Sequence, residues 1–239
     1  MLDHLRTRLR ELSDGRTARS LARSFATAPG ETSEGERFLG IRTPALHRLV
    51  PEYEGLPVHV LRRLLASAFH EERLLALLIL VRRYQCRDQH ERRLVYETCL
   101  ACTDRINTWQ LVDVAAEHIV GAHLRAGGDS MERLEELAGS QRVQERRLAL
   151  VATLPFIKQG EPEPALRLAE RLLRDPETSI HKAVGWMLRE IERRNPEAAR
   201  RFLDRHHAHM PRTMLHQAVR DMPEVQRRAY LEPNARQGG

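Results

Sequence analysis

The chain has 239 residues, 41% of them hydrophobic and 30% charged, a composition that excludes a disordered protein and supplies ample material for a core. Lys and Arg number 39 against 33 Asp and Glu, a net charge of +6 with an isoelectric point near 9.8. That balance leans towards a polyanionic partner, although nearly all the cations are arginine, which genomic base composition explains equally well.

The N-terminal stretch MLDHLRTRLRELSDG is charged throughout and carries several acids, so it has the pattern of neither a secretory signal nor a transit peptide. Helical periodicity runs through almost every segment that follows, with no alternating strand pattern. Breaking or capping clusters divide the chain: SDGRT near Asp14, APGETSEGE from Ala28 to Glu36, EYEGLP near Gly55, RAGGDS near Gly127, KQGEPEP near Gly160, RDPETS near Pro176 and RNPEA near Pro196. Thr43-Pro44, within FLGIRTPALHRL, reads as an N-cap followed by Pro in the first turn. With Arg42 beside it, that turn is either a phosphate contact or a plain structural cap. The longest apolar run, LLALLILV from Leu74 to Val81, is too short to cross a bilayer. Cys99 and Cys102 form a CxxC inside LVYETCLACT. Helical spacing puts both on one face, and with no second Cys/His pair they read as buried apolar thiols in a reducing, cytoplasmic setting.

Four segments repeat. EERLLAL starts at Glu71, TWQLVDV at Thr108, QERRLAL at Gln144 and IHKAVGW at Ile180, so the starts differ by 37, 36 and 36. Each reads as the second helix of a pair, following a shorter and more acidic helix such as SMERLEELAG or PALRLAERLLR. A period near forty residues with two helices per unit is the signature of an all-α, HEAT-like α-solenoid; a compact irregular bundle is the alternative. The expectation is one repeat domain over 1–231, a C-terminal tail over 232–239, and a concave basic groove lined by the second helices.

Within RINTWQLVDVAAEHIVG, Leu111, Val114, Ala115 and Ile119 form a core stripe, while Trp109 and Asp113 lie one turn apart on another face. Small Ala116 beyond them would leave space over the pair. Asp113 reads as a solvated charge or as a catalytic carboxylate. Within SIHKAVGWMLREIERRNP, Ile180, Ala183, Val184, Met187, Leu188 and Ile191 make the packing stripe, and Lys182, Trp186, Arg189 and Arg193 fall at i, i+4, i+7 and i+11 on the other face. An indole among cations there either packs under a neighbour or suits a sugar or base beside phosphates. Arg147, from QERRLAL, joins the same expected wall. HHAHM (His206, His207, His209) ends a helical segment without carboxylate partners, which argues against a metal.

Taken together, these segments resemble the AlkD-type DNA alkylation repair glycosylases, a family built from HEAT-like repeats. FLGIRTPALHRL resembles their FLGI-x-x-P segment, GETSEGERFLGI their glycine- and acid-rich lead-in, INTWQLVD their W-D-x-V-D segment, and IHKAVGWMLREIERRNP their K-A-I-G-W-x-L-R-E segment. The likeness runs from about Phe25 to Tyr230. It implies a monofunctional DNA glycosylase that excises N3- or N7-alkylated purines from double-stranded DNA, without base flipping and without a metal or organic cofactor. It assigns catalysis to Asp113, with Trp109 and Trp186 in the active site, and a groove contact to Arg147. Lys182, Arg189 and Arg42 are the further DNA-binding candidates. A monomer is expected, cytoplasmic and nucleoid-associated when on DNA, with no membrane contact. Gln110 stands where relatives have a second acid, and Thr32 where the lead-in has an aromatic; both bear on substrate range. A solenoid alone would serve equally well as a non-catalytic DNA- or protein-binding module.

Overall fold

A computed structural model describes residues 1–26 and 36–232; Thr32 lies outside them, as does most of the APGETSEGE cluster. The chain divides into two compact units, 1–129 and 130 onwards. Both are helical, and among the described residues the one β feature is an isolated bridge between Arg37 and Phe69.

The first unit contains α1 (Leu2–Glu11), α2 (Gly15–Ala26), α3 (Thr43–Tyr53), α4 (Val58–Leu65), α5 (His70–Cys86), α6 (Gln89–Leu100), α7 (Trp109–Ala115) and α8 (Ala122–Arg125). A π-helical stretch, Ala116–Gly121, joins α7 to α8. Helix α5 is buried continuously from His70 to Leu80, on every face, so it must be the centre of the unit; α3, α4, α6 and α7 all pack on it. The second unit contains α9 (Glu132–Ala138), α10 (Val143–Val151), α11 (Leu154–Ile157), α12 (Glu163–Arg171), α13 (Thr178–Glu192), α14 (Pro196–His206), α15 (Arg212–Ala218) and α16 (Glu224–Leu231). Here α13 is central, with α10, α12, α14 and α15 against it. All six residues of its expected packing stripe are buried. The breaker clusters within the described residues fall between helices, as at Gly55, Gly127, Gly160 and Pro176, or at a helix start, as at Pro196, the first residue of α14.

The repeat is visible in hydrogen bonds as well as in helix order. Before α5, the Ser67 hydroxyl accepts the Phe69 N–H at 3.0 Å and the Ser67 carbonyl accepts from Arg73 at 2.6 Å. Before α10, Ser140 does the same with the Arg142 N–H at 3.1 Å and with Arg146 at 3.0 Å. Before α13, the Asp175 carboxylate takes the Glu177 N–H at 2.9 Å, and its carbonyl takes His181 Nε2–H at 2.6 Å. One turn thus recurs: a side chain satisfies the N–H two residues on, and a helical side chain six residues on returns to the carbonyl. It stops the preceding segment and starts the second helix. Helix α7 departs from it. Its cap is Thr108, whose hydroxyl accepts the Leu111 N–H at 3.4 Å.

Three expectations require correction. Helix α4, VHVLRRLL, carries no acid, so the partner helices are not uniformly acidic. The thiols are not both helical: α6 ends at Leu100, leaving Cys102 half-buried beyond it, while Cys99 is fully buried and its thiol is pushed up to about 12 by burial. Finally, the N-cap of α3 is Arg42, with Thr43 already helical.

Candidate functional site

In the first unit the site is built on a backbone seat. Glu71, 1% exposed, accepts the N–H groups of Leu39, Gly40 and Ile41 at 2.9, 2.8 and 3.2 Å. Three donors converging on one carboxylate fix the FLGI turn, where free N–H groups would otherwise be buried. Gly40 has φ +84°, and a Cβ there would lie 2.0 Å from the Asp14 carbonyl oxygen, so no other residue fits. The seat delivers Phe38 into an aromatic cluster. Phe38 meets Phe25 at 5.0 Å and His70 at 5.2 Å between ring centroids. Phe25 in turn touches the His70 ring at 4.9 Å and stacks on Trp109 at 5.6 Å, 21° from parallel.

Beneath the rings runs a polar network. Glu36, its side chain 4% exposed, pairs with Arg73 and lies 3.7 Å from His70 Nδ1, while Asn107 donates to it at 2.6 Å. Burial alone would raise the Glu36 carboxyl. The nearby His70 ring, the hydrogen bonds from Asn107 and Arg73 and the Arg73 charge outweigh burial and hold it below the usual carboxylate range. On its other side His70 Nε2 meets Gln110 Oε1 at 2.9 Å, and Gln110 Nε2 donates to the Thr43 hydroxyl at 3.2 Å. Gln110 therefore bridges two groups. An amide does this by accepting and donating at once; a carboxylate only accepts. The Thr43 hydroxyl serves this bridge, not a cap.

Trp109 opens α7 and is 37% exposed, a rare large hydrophobic at the surface of this chain. Asp113, one turn further, is half-buried. Leu111, Val112, Ala115 and Ile119 are buried beneath them. Two details of the expected stripe are different. Val114 is half-buried and lines a cleft of about 510 Å³ with His47, Leu78, Arg82 and His118. Ala116 is fully buried, so it opens no space over the Trp109–Asp113 pair. A π stretch starts at Ala116, inserting a wider turn directly after α7. Such insertions recur at functional sites.

In the second unit α13 carries Lys182, Trp186 and Arg189, all half-buried. The Trp186 indole N–H donates to Glu190 at 3.3 Å, and Glu190 also takes Arg194 at 2.6 Å and Arg193 at 3.4 Å. Burial opposes ionisation of Glu190, but the Arg194 bond and charge, the indole bond and the Arg193 charge together lower its pKa. Arg189 reaches Gln217 and Asp221, each at 3.5 Å. Arg147, on α10, donates to the Ser179 carbonyl in the first turn of α13 at 3.2 Å. The histidines of HHAHM turn to separate partners, His207 to the Leu203 carbonyl and His206 towards Glu170.

The first unit thus brings Trp109 and Asp113 onto one helix, and places the exposed Arg42 beside Thr43, the residue bonded to Gln110. The second brings Arg147 to the start of the helix that holds Lys182, Trp186 and Arg189. Sequence reading missed Phe25, Glu36, His70 and Glu190. Only Glu190 left a local signal, standing four residues after Trp186 on the same helix.

The chain matches the family model described as DNA alkylation repair enzyme over residues 5–222. Its fold is similar to that of a protein from Enterococcus faecalis described as a predicted DNA alkylation repair enzyme, with a TM-score of 0.67 and 16% identity over 89% of this chain and 97% of that one. It is also similar to the crystal structure of AlkD2 from Streptococcus mutans, with a TM-score of 0.52 and 15% identity over 90% and 96% of the two chains. Comparison with curated protein sequences gives no match. The match over 5–222 spans both compact units and the segments that carry Trp109, Asp113, Arg147 and Trp186, and on it this chain belongs to the DNA alkylation repair enzyme family.

Proposed function

We propose that the protein is a monofunctional DNA glycosylase that hydrolyses the N-glycosidic bond of N3- and N7-alkylated purines in duplex DNA, without flipping the base. The observation that carries this reading is the pairing on α7 of an exposed indole, Trp109, with a carboxylate one turn away, Asp113. The chemistry asks little more. An alkylated purine is already a cationic leaving group, so departure as a neutral base needs little acid catalysis. Positive charge develops on the deoxyribose as the C1′–N bond breaks. A carboxylate about 4 Å from that charge contributes on the order of 4 kcal/mol at an effective dielectric near 20, roughly a thousandfold in rate if the interaction is made mainly in the transition state. Water then adds to C1′, and Asp113 orients it and receives its proton. The exposed indole of Trp109 favours the developing cation. Arg147, Lys182, Arg189 and Arg42 are assigned to DNA phosphates. The protein acts in the cytoplasm, on the nucleoid.

The test is release of 7-methylguanine from methylated duplex DNA, measured in single turnover. Asp113→Asn is expected to lower the rate about a thousandfold while duplex affinity stays within a few-fold of wild type. Equal release by the two proteins overturns the catalytic assignment. No release by the wild type, with DNA binding intact, identifies a binding module.

A further inference from the structure

The first turn of α7 carries Trp109, and Asp113 follows one turn later, yet little inside the helix fixes its setting. Helix α7 spans Trp109–Ala115, seven residues, and a helix start leaves its first N–H groups without helical acceptors. The Thr108 cap reaches the Leu111 N–H at 3.4 Å, a long bond. Gln110 supplies what the helix lacks. Its Oε1 lies 2.9 Å from His70 Nε2 on α5, and its Nε2 lies 3.2 Å from the Thr43 hydroxyl at the start of α3. Both anchors are themselves seated. His70 is 2% exposed, with its ring against Phe25 and Phe38, and Thr43 follows the FLGI turn that Glu71 holds.

The amide also suits either form of the imidazole. Among the described residues, the charged groups around His70 are Glu36, whose Oε2 lies 3.7 Å from Nδ1, and Arg73 on the same helix, itself paired with Glu36. The adjacent Glu71 and Glu72 turn elsewhere, to the FLGI turn and to Arg6. The Glu36 carboxylate draws a proton to Nδ1. A neutral ring then presents Nε2 as a bare acceptor, whereas an imidazolium presents it as a donor. An amide meets both, because half a turn about its last bond exchanges oxygen and nitrogen. The Thr43 hydroxyl, donor and acceptor in one group, follows that exchange. A carboxylate in the same place meets only the imidazolium.

We propose that Gln110 is a positioning residue, pinning Trp109 and Asp113 to α5 and α3 in either protonation state of His70. Its effect on rate rests on the glycosylase reading; the pin itself does not. The experiment measures single-turnover release of 7-methylguanine by the full chain, with duplex affinity and melting alongside. Gln110→Leu is expected to slow release by roughly ten- to a hundredfold, as displacing a reacting group by about 1 Å does, with duplex affinity little changed. Thr43→Val, nearly isosteric, cuts the bridge from its other end and carries the test should Gln110→Leu not fold. Added to Gln110→Leu it should slow release no further, since both act through one bridge; effects that multiply in full overturn the bridge. Gln110→Glu, normalised to wild type at each pH, should lose rate from about pH 6 to about pH 8.5, as the ordinary histidine value of about 6.5 is passed. The introduced carboxylate is ionised throughout that range, so its own field cannot cause the change. A packing role alone gives a constant ratio, and that result overturns the role of the amide. Absence of release by the wild type is the separate failure of the glycosylase reading, and the pin is then read from Trp109 emission in a Trp186→Phe background. There the emission should shift with pH when Gln110→Glu is added and stay fixed without it; emission independent of pH in both proteins overturns the pin.

Discussion

The Phe25 ring lies flat under the Trp109 indole, 5.6 Å between centroids and 21° between planes. This joins the end of α2 to the start of α7 while the indole stays 37% exposed. An aromatic pair of this kind is worth about 0.5–1.5 kcal/mol beyond burial. Phe25→Leu keeps the apolar volume and removes the stack. Release of 7-methylguanine should slow by about two- to tenfold, the kinetic equivalent of that energy. In a Trp186→Phe background, which leaves Trp109 as the sole indole, its emission should shift to the red as the ring becomes more solvated. An unchanged rate and spectrum would show that Phe25 does not hold the indole.

How far sequence reaches into this molecule depends on whether a signal is local. Helices announce themselves by period, and their ends by Gly, Pro and capping residues, so the cuts at Gly55, Gly127 and Pro196 and the buried stripe of α13 were all readable. Of the expected α7 stripe, Leu111, Ala115 and Ile119 are buried and Val114 is not, because a 3.6-residue spacing gives the direction of the packed face but not how much of it a neighbour covers. Phe25 against Trp109, or Glu36 against Arg73 and Asn107, join residues on separate elements. No periodicity within a helix encodes such pairs; they exist only once the helices have packed. Gln110 shows the same limit. In sequence it is a missing acid, whereas in the folded chain it is the amide that links His70 to Thr43.

Glu36 makes stability depend on pH. Its folded pKa is depressed below the unfolded value, so the stability it contributes is present above about pH 4.3, the ordinary Glu value, and is lost as pH falls through the lower folded pKa. Urea denaturation between pH 3 and pH 7 should show wild-type stability falling at the acid end. Glu36→Gln should flatten that limb. It also leaves the Arg73 guanidinium, 6% exposed at its side chain, without its counter-charge, which costs about 3–5 kcal/mol for a broken buried pair. At pH 7 the variant should therefore be markedly less stable than wild type. Parallel pH profiles for the two proteins would mean that another carboxylate controls the acid limb.

Gly185, immediately before Trp186, sets the approach of α13 to α15. A Cβ there would lie 2.4 Å from Gln217 Cβ and 2.5 Å from the Met214 carbonyl oxygen. The second of these is backbone, so rotating a side chain cannot relieve the clash, and the two helices must separate. Overpacking of this sort costs about 1–3 kcal/mol. For a chain of this size each kcal/mol lowers Tm by about 2–4 °C, so Gly185→Ala should melt roughly 2–12 °C below wild type. Gly55 is the matched control, because a Cβ there meets nothing within 4 Å and Ala reduces the entropy of the unfolded chain; Gly55→Ala should melt at or slightly above wild type. If the two variants melt together, the close approach at Gly185 is not what fixes α13 against α15. The position of Trp186 would then have to come from Glu190, whose carboxylate holds the indole N–H from one turn further along the helix.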